Sequence, residues 1–382
     1  MKKKVCLIHK VDFLDPRSFH KQARSLQKNG YETTLISYLG REDPIDGIRF
    51  VKISRPQRLL TRILLTNYNI FIKALKERAD VYHFHDLDFV PWAILLKLIA
   101  RRKVIYDVHE AHPEYMLLKS YIPDYLRKTV STLVHYTEQI GSHFFDAIIT
   151  NDNFVLSQFR HKCMDVIFNF PLLEFFSFSD HGVPYSERRY DVIFIGSLPK
   201  WHFTPMLEAA QILKERGHFV KWLLLPTCDA PRSWMRSQLS ERNLSDYFTI
   251  ADTVPFTSVP KYLYEARIGI ITIPPYKKYL KNIPLKMFEY MGCGLPVVAS
   301  DLPPARQFVE GKGCAILVKH EGAAYAEAII SLLNNTERAE RMGLSGRELV
   351  FQKFNWGSEE KKLLKIYSQL VYAGKSDELC EN

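Results

Sequence analysis

The sequence KNIPLKMFEYMGCGLPVVASD, residues 281–301, predicts a helix that is followed directly by a buried strand. Pro284 suits the first turn of a helix, because its missing N–H would have no intrahelical partner there. Apolar residues then recur at helical spacing and would pack inward: Leu285, Phe288 and Met291. Gly292 and Gly294 end the helix, and the apolar run LPVVAS predicts the strand.

The first turns of this helix carry a cation and a carboxylate. Lys286 and Glu289 are three residues apart, so they share one face of the helix. A helix N-terminus attracts anions, above all phosphates, because its first N–H groups lack intrahelical partners. The pattern therefore favours a site for a phosphorylated ligand. The alternative is an ordinary helix–strand unit with a surface Lys–Glu pair.

Similar strand–helix units fill the rest of the chain. Apolar runs such as VCLIH (5–9) and KVIYDVH (103–109) alternate with helical patterns, and DVIFIGS (191–197) opens a second series. This alternation predicts parallel sheets with helices on both faces, and two series predict two Rossmann-like domains. Ligands of parallel sheets bind beyond the carboxyl ends of the strands, so two facing domains would form a cleft for the ligand.

The domain boundary is expected in the aromatic segment 170–191, which mixes Pro, Gly and charges without periodicity. We predict an N-terminal domain over 1–170, a linker over 171–190 and a C-terminal domain over 191–355. A last helix and a polar tail would occupy 356–382. The length of 382 residues agrees with two domains, because it exceeds what one compact core holds.

Composition narrows the class of protein. The hydrophobic content of 47% and the charged content of 25% are ordinary for a globular protein. The six cysteines form no CxxC pair or metal-ligand spacing, which predicts reduced thiols in the cytosol. No apolar run is long enough for a signal peptide or a membrane span. No regular aromatic and basic motif indicates a nucleic-acid partner.

The net charge of +10 lies mostly in the N-terminal half of the chain. Within that half, the segment RPQRLLTRILL (55–65) places Arg58 and Arg62 four residues apart beside leucine and isoleucine. This combination predicts a helix at the surface of an anionic membrane. The alternative is a packed helix with a solvated basic face.

The stretch 281–301 resembles the nucleotide-sugar motif of the family 4 glycosyltransferases, retaining enzymes of the GT-B fold. That fold consists of two Rossmann-like domains facing across a cleft, with a last helix that crosses back to the N-terminal domain. The run NIPLKMFEYM is similar to the variant found in many surface-polysaccharide transferases. The family's usual acidic residue, eight positions before Glu289, is Lys281 here.

The resemblance implies a role for each residue of the motif. Glu289 would accept hydrogen bonds from the ribose hydroxyls of a nucleotide-diphosphate sugar. The loop before the helix would hold the diphosphate. Besides Glu289, the expected donor-binding residues are Ser197, Asn282, Ile283, Pro284 and Lys286. The segment near Thr253 and Val254 would contact the edge of the nucleobase.

The run IGSLPKWHF (195–203) occupies the place where the family has Gly-Arg, followed by a Lys. Those cations neutralise the leaving diphosphate, where charge develops in the transition state. Ser197 stands at the Arg position, so Lys200 is the expected catalytic cation, with Lys281 or Lys286 as possible helpers.

His109 is the catalytic residue expected from the N-terminal domain. The run VIYDVHEAHPE (104–114) places it at the carboxyl end of a strand, where a family His lies near the donor sugar. Asp107 and Glu110 flank it and would tune its pKa. The alternatives are a structural histidine at this position and His112 in the catalytic role.

Two further patterns in the N-terminal half have open interpretations. His83, His85, Asp86 and Asp88 in VYHFHDLDF resemble a metal-ligand set, but the resembling family ends this strand similarly and needs no metal. We therefore expect no metal cofactor. Arg17, after the first strand, would meet an anionic acceptor or simply decorate the first helix.

The resemblance implies a metal-independent, retaining glycosyltransferase for bacterial surface polysaccharide. It would lie in the cytoplasm at the inner membrane surface and transfer sugar to an acceptor linked to polyprenyl diphosphate. Two other functions remain open because the first carboxylate and the Arg are missing. One is a non-catalytic GT-B partner or binding subunit, and the other is a nucleotide-sugar epimerase-like enzyme.

Overall fold

The computed structural model describes residues 2–11, 15–38, 43–55, 61–119, 121–176, 183–226, 231–276 and 279–372. The chain divides into two compact units. The N-terminal unit consists of Met1–Asn169 together with Gly357–Asn382, and the C-terminal unit is Phe170–Trp356. Each unit is a parallel sheet with helices, as the alternation of strand and helix patterns predicts.

The N-terminal sheet has seven strands in the order β3-β2-β1-β4-β5-β6-β7, all of them parallel. Its strands are β1 (Lys4–Ile8), β2 (Glu32–Ser37), β3 (Arg49–Lys52), β4 (Val81–Phe84), β5 (Lys103–Val108), β6 (Ala147–Thr150) and β7 (Met164–Val166). The strand order reverses between β1 and β4, where Leu7 pairs with His83. Such a reversal leaves a crevice beyond the carboxyl ends of the two strands.

The helices of this unit begin with a π-helical segment, Pro16–Ala23, whose N-cap carboxylate on Asp15 accepts the N–H groups of Arg17 and Ser18. The other helical segments are Arg24–Lys28, Arg62–Thr66 (π-helical), Asn67–Glu77, Leu87–Phe89 (3₁₀), Val90–Ala100, His112–Met116, Asp124–Ser142 and Asn153–Ser157. The last helix, Trp356–Tyr372, joins this unit from Gly357 onward. Its Tyr367 is fully buried and packs edge-on against Tyr31.

The C-terminal sheet has six strands in the order β10-β9-β8-β11-β12-β13. These are β8 (Tyr190–Ile195), β9 (Trp222–Leu225), β10 (Phe248–Ile250), β11 (Ala266–Ile271), β12 (Val297–Ser300) and β13 (Ala315–Val318). Its α-helices are Lys200–Glu215, Arg232–Glu241, Val259–Leu263, Lys286–Gly292, Pro303–Val309, Gly322–Leu333 and Thr336–Gln352. Short 3₁₀ turns lie at Leu173–Phe175, Tyr185–Glu187, Ser245–Tyr247 and Phe256–Ser258.

The helix expected after Pro284 is present and runs from Lys286 to Gly292. The carbonyl of Pro284 accepts the Met287 N–H (2.9 Å), so the proline opens the first turn from just outside the helix. Gly294 has a φ of +69°. The Gly294 N–H bonds to the Met291 carbonyl (2.9 Å), and the next N–H bonds to the Tyr290 carbonyl (3.0 Å). This is a Schellman cap, which the glycine makes possible.

Tyr290 fixes this helix on the sheet. A Cβ on Gly269 of β11 would lie only 2.4 Å from the Tyr290 ring, so the ring packs directly on strand backbone. The Tyr290 hydroxyl accepts the Ile195 N–H (2.9 Å) and donates to the Ile270 carbonyl (3.2 Å). The helix therefore lies across the ends of β8 and β11.

The predicted linker segment is partly packed in the C-terminal unit. Phe170 makes an edge-on contact with Phe288 and packs beside Phe354. The Pro171 carbonyl accepts the Trp356 N–H (2.8 Å). The second unit begins at Phe170, within the segment 170–191 where the domain boundary is expected.

Candidate active site

Four histidines gather at the carboxyl ends of β1, β4 and β5: His9, His83, His85 and His109. The His85 Nδ1 lies 2.9 Å from the His109 Nε2, and the His9 and His85 rings have centroids 4.4 Å apart. Neighbouring parallel strands end at one edge of the sheet, which brings together side chains that are far apart in sequence. The switch point of the N-terminal sheet is therefore lined with imidazoles.

Asp107 lies at the centre of this histidine cluster and is fully buried. The Arg17 guanidinium donates two hydrogen bonds to its carboxylate, Nε to Oδ2 (2.9 Å) and Nη2 to Oδ1 (2.8 Å). Gln22 donates a third (2.5 Å). Burial alone would raise the pKa of Asp107, but the Arg17 charge, with help from His109 and His83, holds it well below its usual value. Asp107 is therefore a buried, ionised carboxylate that holds the surrounding side chains in position.

His109 lies beside the Asp107 carboxylate. Its Nε2 lies 3.5 Å from Asp107 Oδ1, and its carbonyl accepts the Asn151 Nδ2–H (2.7 Å). Its side chain is 25% exposed, in contrast to the buried His83 and His85. Among the four histidines of the cluster, His109 therefore has the side chain most open to solvent, and its catalytic role stays a prediction.

His83 and His85, whose side chains are fully buried, are neutral. Burial, reinforced by the His9 charge, lowers the pKa of His85 well below its ordinary value. Burial also lowers the pKa of His83, despite its hydrogen bond with Asp107. The His83 Nδ1 meets the Tyr367 hydroxyl at 2.9 Å, so the last helix of the chain supports the cluster from behind.

One group of potential metal ligands is found among the described residues: His83, His85 and Asp107, with ligand atoms within 4.8 Å of one another. A cation there would share the Asp107 carboxylate with the Arg17 guanidinium, whose charge opposes a second positive ion. The residues therefore do not favour a metal, and metal independence stays a prediction.

Arg17 differs from its predicted role. The sequence pattern suggested contact with an anionic acceptor, but Arg17 is buried and its guanidinium binds Asp107 and the Ile167 carbonyl (2.9 Å). Its charge is already balanced inside the protein. Arg17 positions Asp107, and through it His109.

A cleft of about 810 Å³ opens within the N-terminal unit, and its lining includes Glu110, the residue after His109. Its walls combine tyrosines, cations and carboxylates, including Tyr115, Tyr121, Lys10, Lys119, Asp86 and Glu110. The Lys119 ammonium lies 3.7 Å from the Tyr115 ring centroid, and the Lys10 ammonium pairs with Asp88. Tyrosine faces and carboxylates suit sugar rings and hydroxyls, and Lys119 suits a phosphate.

In the C-terminal unit, Lys286 reaches back from its helix to the end of β8. A Cβ added to Gly196 would lie 1.9 Å from the Lys286 Nζ, so the ammonium rests directly on this backbone. Gly196 has a φ of +120°, which only glycine adopts easily. Burial and the Lys286 charge lower the pKa of the neighbouring His202 to about 4. Lys286 therefore places a fixed positive charge beside Ser197.

Lys200 lies elsewhere on this edge of the sheet. Its Nζ is 4.9 Å from the Trp234 ring centroid, on the exposed first turn of the helix Lys200–Glu215. Ser197 is exposed immediately after Gly196. The cation that the structure places against the Gly196 backbone is thus Lys286, whereas the sequence pattern favours Lys200.

The other predicted donor residues lie at the same edge of the C-terminal sheet. Thr253 and Val254 follow β10, and Asn282, Ile283 and Pro284 precede the helix of Lys286. Glu289 is half-buried, three residues after Lys286 on that helix. All these residues follow the strand ends or the loops between strand and helix, where parallel sheets bind ligands.

Two family models match this chain. "Glycosyltransferase Family 4" matches residues 16–169, and "Glycosyl transferases group 1" matches residues 189–335. The chain belongs to the group 1 glycosyltransferases of family 4. The two matches lie in the two Rossmann-like units and include His109 and Glu289, respectively.

This glycosyltransferase is 26% identical over 168 residues to the amylovoran biosynthesis glycosyltransferase AmsK of Erwinia amylovora. That alignment covers 43% of this chain and 41% of AmsK. The chain spans less than half the length of the curated relatives that it matches.

Solved structures share the fold over nearly the whole chain. Sucrose-phosphate synthase from Thermosynechococcus elongatus superimposes with a TM-score of 0.73 at 18% identity, covering 97% of this chain and all of that one. Anabaena HepE, solved in complex with UDP and glucose, gives 0.71 at 14% identity with the same coverage. These likenesses establish a GT-B fold.

The predicted membrane residues are only partly described. Arg58 lies outside the described residues, and for Arg62 the structure describes only the backbone, at the start of the π-helical turn. Leu64 and Leu65 of that turn are exposed. None of the described helices combines the length and the apolar character needed to cross a membrane.

No pattern in the sequence marks Arg17 as the partner of Asp107, and none marks the cleft residues Tyr115, Lys119 and Tyr121. Arg17 and Asp107 are ninety positions apart, and no local pattern connects them. The cleft residues lie around a short helix whose pattern is too brief to show a face. The nearest signal in the sequence is the cluster of tyrosines and Lys119 directly after the His109 motif.

Proposed function

We propose that this protein transfers a sugar from a nucleotide-diphosphate sugar to a lipid-linked glycan. The donor would bind the C-terminal unit, and the acceptor would bind the cleft of the N-terminal unit. The observation that carries the proposal is the Lys286 ammonium seated on Gly196, three residues from Glu289 on the same helix. This arrangement offers a cation for the diphosphate and a carboxylate for the ribose.

The Lys286 charge would act where the reaction develops negative charge. As the bond between the anomeric carbon and the diphosphate oxygen breaks, the leaving diphosphate becomes more anionic. A cation already fixed by the Gly196 backbone stabilises that charge without reorganising during the step. Ser197 would add a hydroxyl donor at the same edge.

We propose a retaining, metal-independent reaction, as the family resemblance implies. The acceptor oxygen would bond to the anomeric carbon on the face that the diphosphate leaves, and the departing phosphate oxygen would take the acceptor proton. His109 would hydrogen-bond the reacting sugar. Its anchor, Asp107, is bound by Arg17 and so keeps the imidazole in place.

The cleft supports an acceptor that carries both sugar and phosphate. Tyr115 and Tyr121 offer faces to sugar rings, and Lys119 offers a charge to phosphate. A glycan on polyprenyl diphosphate has these features. AmsK is named for amylovoran biosynthesis and HepE was solved with UDP and glucose, which supports a role in bacterial polysaccharide synthesis. A position at the cytoplasmic face of the membrane is what the family resemblance implies.

The proposal is tested by incubating the protein with single nucleotide sugars and a bacterial lipid extract. We expect release of nucleoside diphosphate together with a lipid whose mass increases by one sugar. Glu289→Ala should abolish both, because the ribose loses its carboxylate partner. Glu337→Ala, at an exposed helix position, is the matched control and should retain activity.

Two outcomes would contradict transfer. Donor binding without any turnover would indicate a binding subunit. Free sugar or an isomer formed without acceptor would indicate an epimerase-like enzyme. NMR of the product's anomeric proton tests retention, and full activity in a chelator tests metal independence.

A further inference from the structure

His112, three residues after His109, lies at the cleft of the N-terminal unit and is bound by a buried carboxylate. Its Nδ1 atom lies 2.8 Å from Oε1 of Glu138. The His112 side chain is 15% exposed, whereas that of Glu138 is 3% exposed. His112 therefore bonds to the interior through one ring nitrogen, while its side chain lines the cleft.

Tyr106 bonds to the same carboxylate. Its hydroxyl donates to Glu138 Oε1 at 2.8 Å. Burial, reinforced by the Glu138 charge, raises the pKa of Tyr106 well above its usual value, so the hydroxyl keeps its proton and is the donor. Glu138 lies on the helix Asp124–Ser142, Tyr106 on β5 and His112 on the short helix His112–Met116. The Glu138 carboxylate thus connects three elements and is fixed in position.

These contacts decide which ring nitrogen of His112 carries the proton. An ionised carboxylate only accepts hydrogen bonds, so the Nδ1 atom of His112 donates to Glu138 and holds the hydrogen. The Nε2 atom of the neutral imidazole then has a free lone pair. None of the residues that the structure describes bonds to His112 Nε2. His112 therefore offers a hydrogen-bond acceptor on the side of its ring away from Glu138.

The charged residues that line this cleft balance one another. Three are cations and three are carboxylates: Lys10, Arg55, Lys119, Asp86, Asp88 and Glu110. Lys10 pairs with Asp88. The Arg55 and Lys119 charges lie over tyrosine rings, 6.0 Å and 3.7 Å from the ring centroids. Carboxylate oxygens and an imidazole lone pair are acceptors, and sugar hydroxyls are donors that match them. The wall around His112 therefore suits a sugar unit.

We infer that His112 orients the acceptor glycan: its Nε2 atom accepts a hydrogen bond from a sugar hydroxyl, and Glu138 is the positioning residue that holds the imidazole proton on Nδ1. This inference rests on the proposed function, which places the acceptor in this cleft. His112 moves no proton, since the departing phosphate oxygen takes the proton of the attacking hydroxyl. The contact is the same before and during the reaction, so it sets the affinity for the acceptor and not the turnover.

NMR of protein with isotope-labelled histidine tests the positioning by Glu138. Long-range proton–nitrogen spectra distinguish the two tautomers, because protonated and unprotonated ring nitrogens differ in chemical shift. At alkaline pH, where an ordinary imidazole is neutral, His112 should have a protonated Nδ1 and an unprotonated Nε2. Its signals are assigned by their loss in His112→Phe. Glu138→Met should remove the preference for this tautomer, and Glu138→Gln, which keeps an oxygen, should retain it. A His112 protonated on Nε2 in the wild type would overturn the inference.

Transfer kinetics test the contact with the acceptor. The bacterial lipid extract is varied at a saturating concentration of the nucleotide sugar. His112→Phe should raise the apparent KM for the extract about tenfold, with kcat and the KM for the nucleotide sugar unchanged. Glu138→Met should raise the same apparent KM, and Glu138→Gln should raise it much less, because glutamine can still accept the Nδ1–H hydrogen.

Two controls separate this effect from a general loss of structure. Glu114→Gln changes a carboxylate on the same short helix, which accepts from Gln158 Nε2 at 3.0 Å, and should keep the wild-type apparent KM. Tyr106→Phe removes one hydrogen bond to Glu138 but leaves that of His112. It should lower the melting temperature with little effect on the apparent KM. An equal rise of this KM in Tyr106→Phe and Glu138→Met would show a merely structural effect and overturn the positioning role.

The same assay separates this inference from the proposed function. If the wild type transfers sugar and His112→Phe has the wild-type apparent KM for the extract, the inference is wrong and the proposed function stands. If the wild type transfers no sugar from any donor, the proposed function fails, and the acceptor contact of His112 fails with it.

Discussion

Replacing Arg17 with methionine should strongly destabilise the N-terminal unit. Met fills much of the same volume but leaves the Asp107 carboxylate, which is fully buried, without its cation. Removing one partner of a buried ion pair typically costs about 3–5 kcal/mol, because the remaining charge stays desolvated. For a domain of this size, each kcal/mol lowers the melting temperature by about 2–4 °C, so we expect a fall of roughly 6–20 °C.

Urea and thermal unfolding of Arg17→Met would measure this cost. Arg102→Met is the control, because Arg102 pairs with Asp80 at the surface (3.3 Å) and its loss should cost no more than about 1 kcal/mol. The double variant Arg17→Met, Asp107→Leu should be less destabilised than the sum of the two single changes, since it leaves no buried charge. If Arg17→Met lowers the free energy of unfolding by less than about 1 kcal/mol, the reasoning is refuted.

The pH dependence of the Arg17→Met effect gives a second check. In the wild type the pKa of Asp107 is held below its unfolded value. Its stabilising contribution is therefore present above that unfolded value, near pH 4, and is lost as the pH falls further. Without Arg17, burial raises the pKa of Asp107, so the variant carboxyl is protonated more readily in the folded state. The difference in the free energy of unfolding between the wild type and Arg17→Met should thus shrink as the pH falls.

Three more changes probe the site. Lys286→Ala should weaken binding of nucleoside diphosphate by about tenfold or more in calorimetry, because it removes a charged contact. Lys200→Ala should weaken binding less. A larger loss of affinity in Lys200→Ala than in Lys286→Ala would show that Lys200 is the cation that binds the phosphate. His109→Ala should lower turnover while leaving nucleotide affinity unchanged; a loss of affinity alone would argue against its place at the reacting sugar. Tyr367→Phe should cost about 1–3 kcal/mol in urea unfolding, because it leaves the His83 Nδ1 without its hydroxyl partner; an unchanged midpoint would contradict that support.

The fold follows from patterns that are local in sequence. Buried strands and helices alternate with clear periodicity, and Pro284 and Gly294 mark the two ends of one helix. These signals predict both parallel sheets and place the predicted ligand residues at the carboxyl ends of their strands. The local sequence is enough to predict these elements, because each strand–helix unit buries its own apolar residues.

The contacts that complete the site depend on distant parts of the chain. Lys286 meets Gly196 because Tyr290 fixes its helix across the end of β8, and no periodicity encodes that meeting. The Arg17–Asp107 pair joins the first helical segment to β5 in the same way. Such pairs are visible only once the sheet order is known.

Which side of a helix faces the sheet is also hard to predict from the sequence of that helix. The sequence over 125–140 has the pattern of a helix, but periodicity does not say which side of that helix meets the sheet. The deciding contacts come from Tyr106 and His112, which hold Glu138 inside. Tyr125, Leu133 and Tyr136 are therefore exposed for reasons that lie in other elements.

Binding of a nucleoside diphosphate to the C-terminal unit is the central claim, and a thermal-shift series with UDP, GDP, dTDP, ADP and CDP tests it most directly. One diphosphate at about 100 times its dissociation constant should add about 2.7 kcal/mol of stability, and Glu289→Ala should abolish that gain. No stabilisation by any of the five, or an equal gain in Glu289→Ala, would contradict the claim.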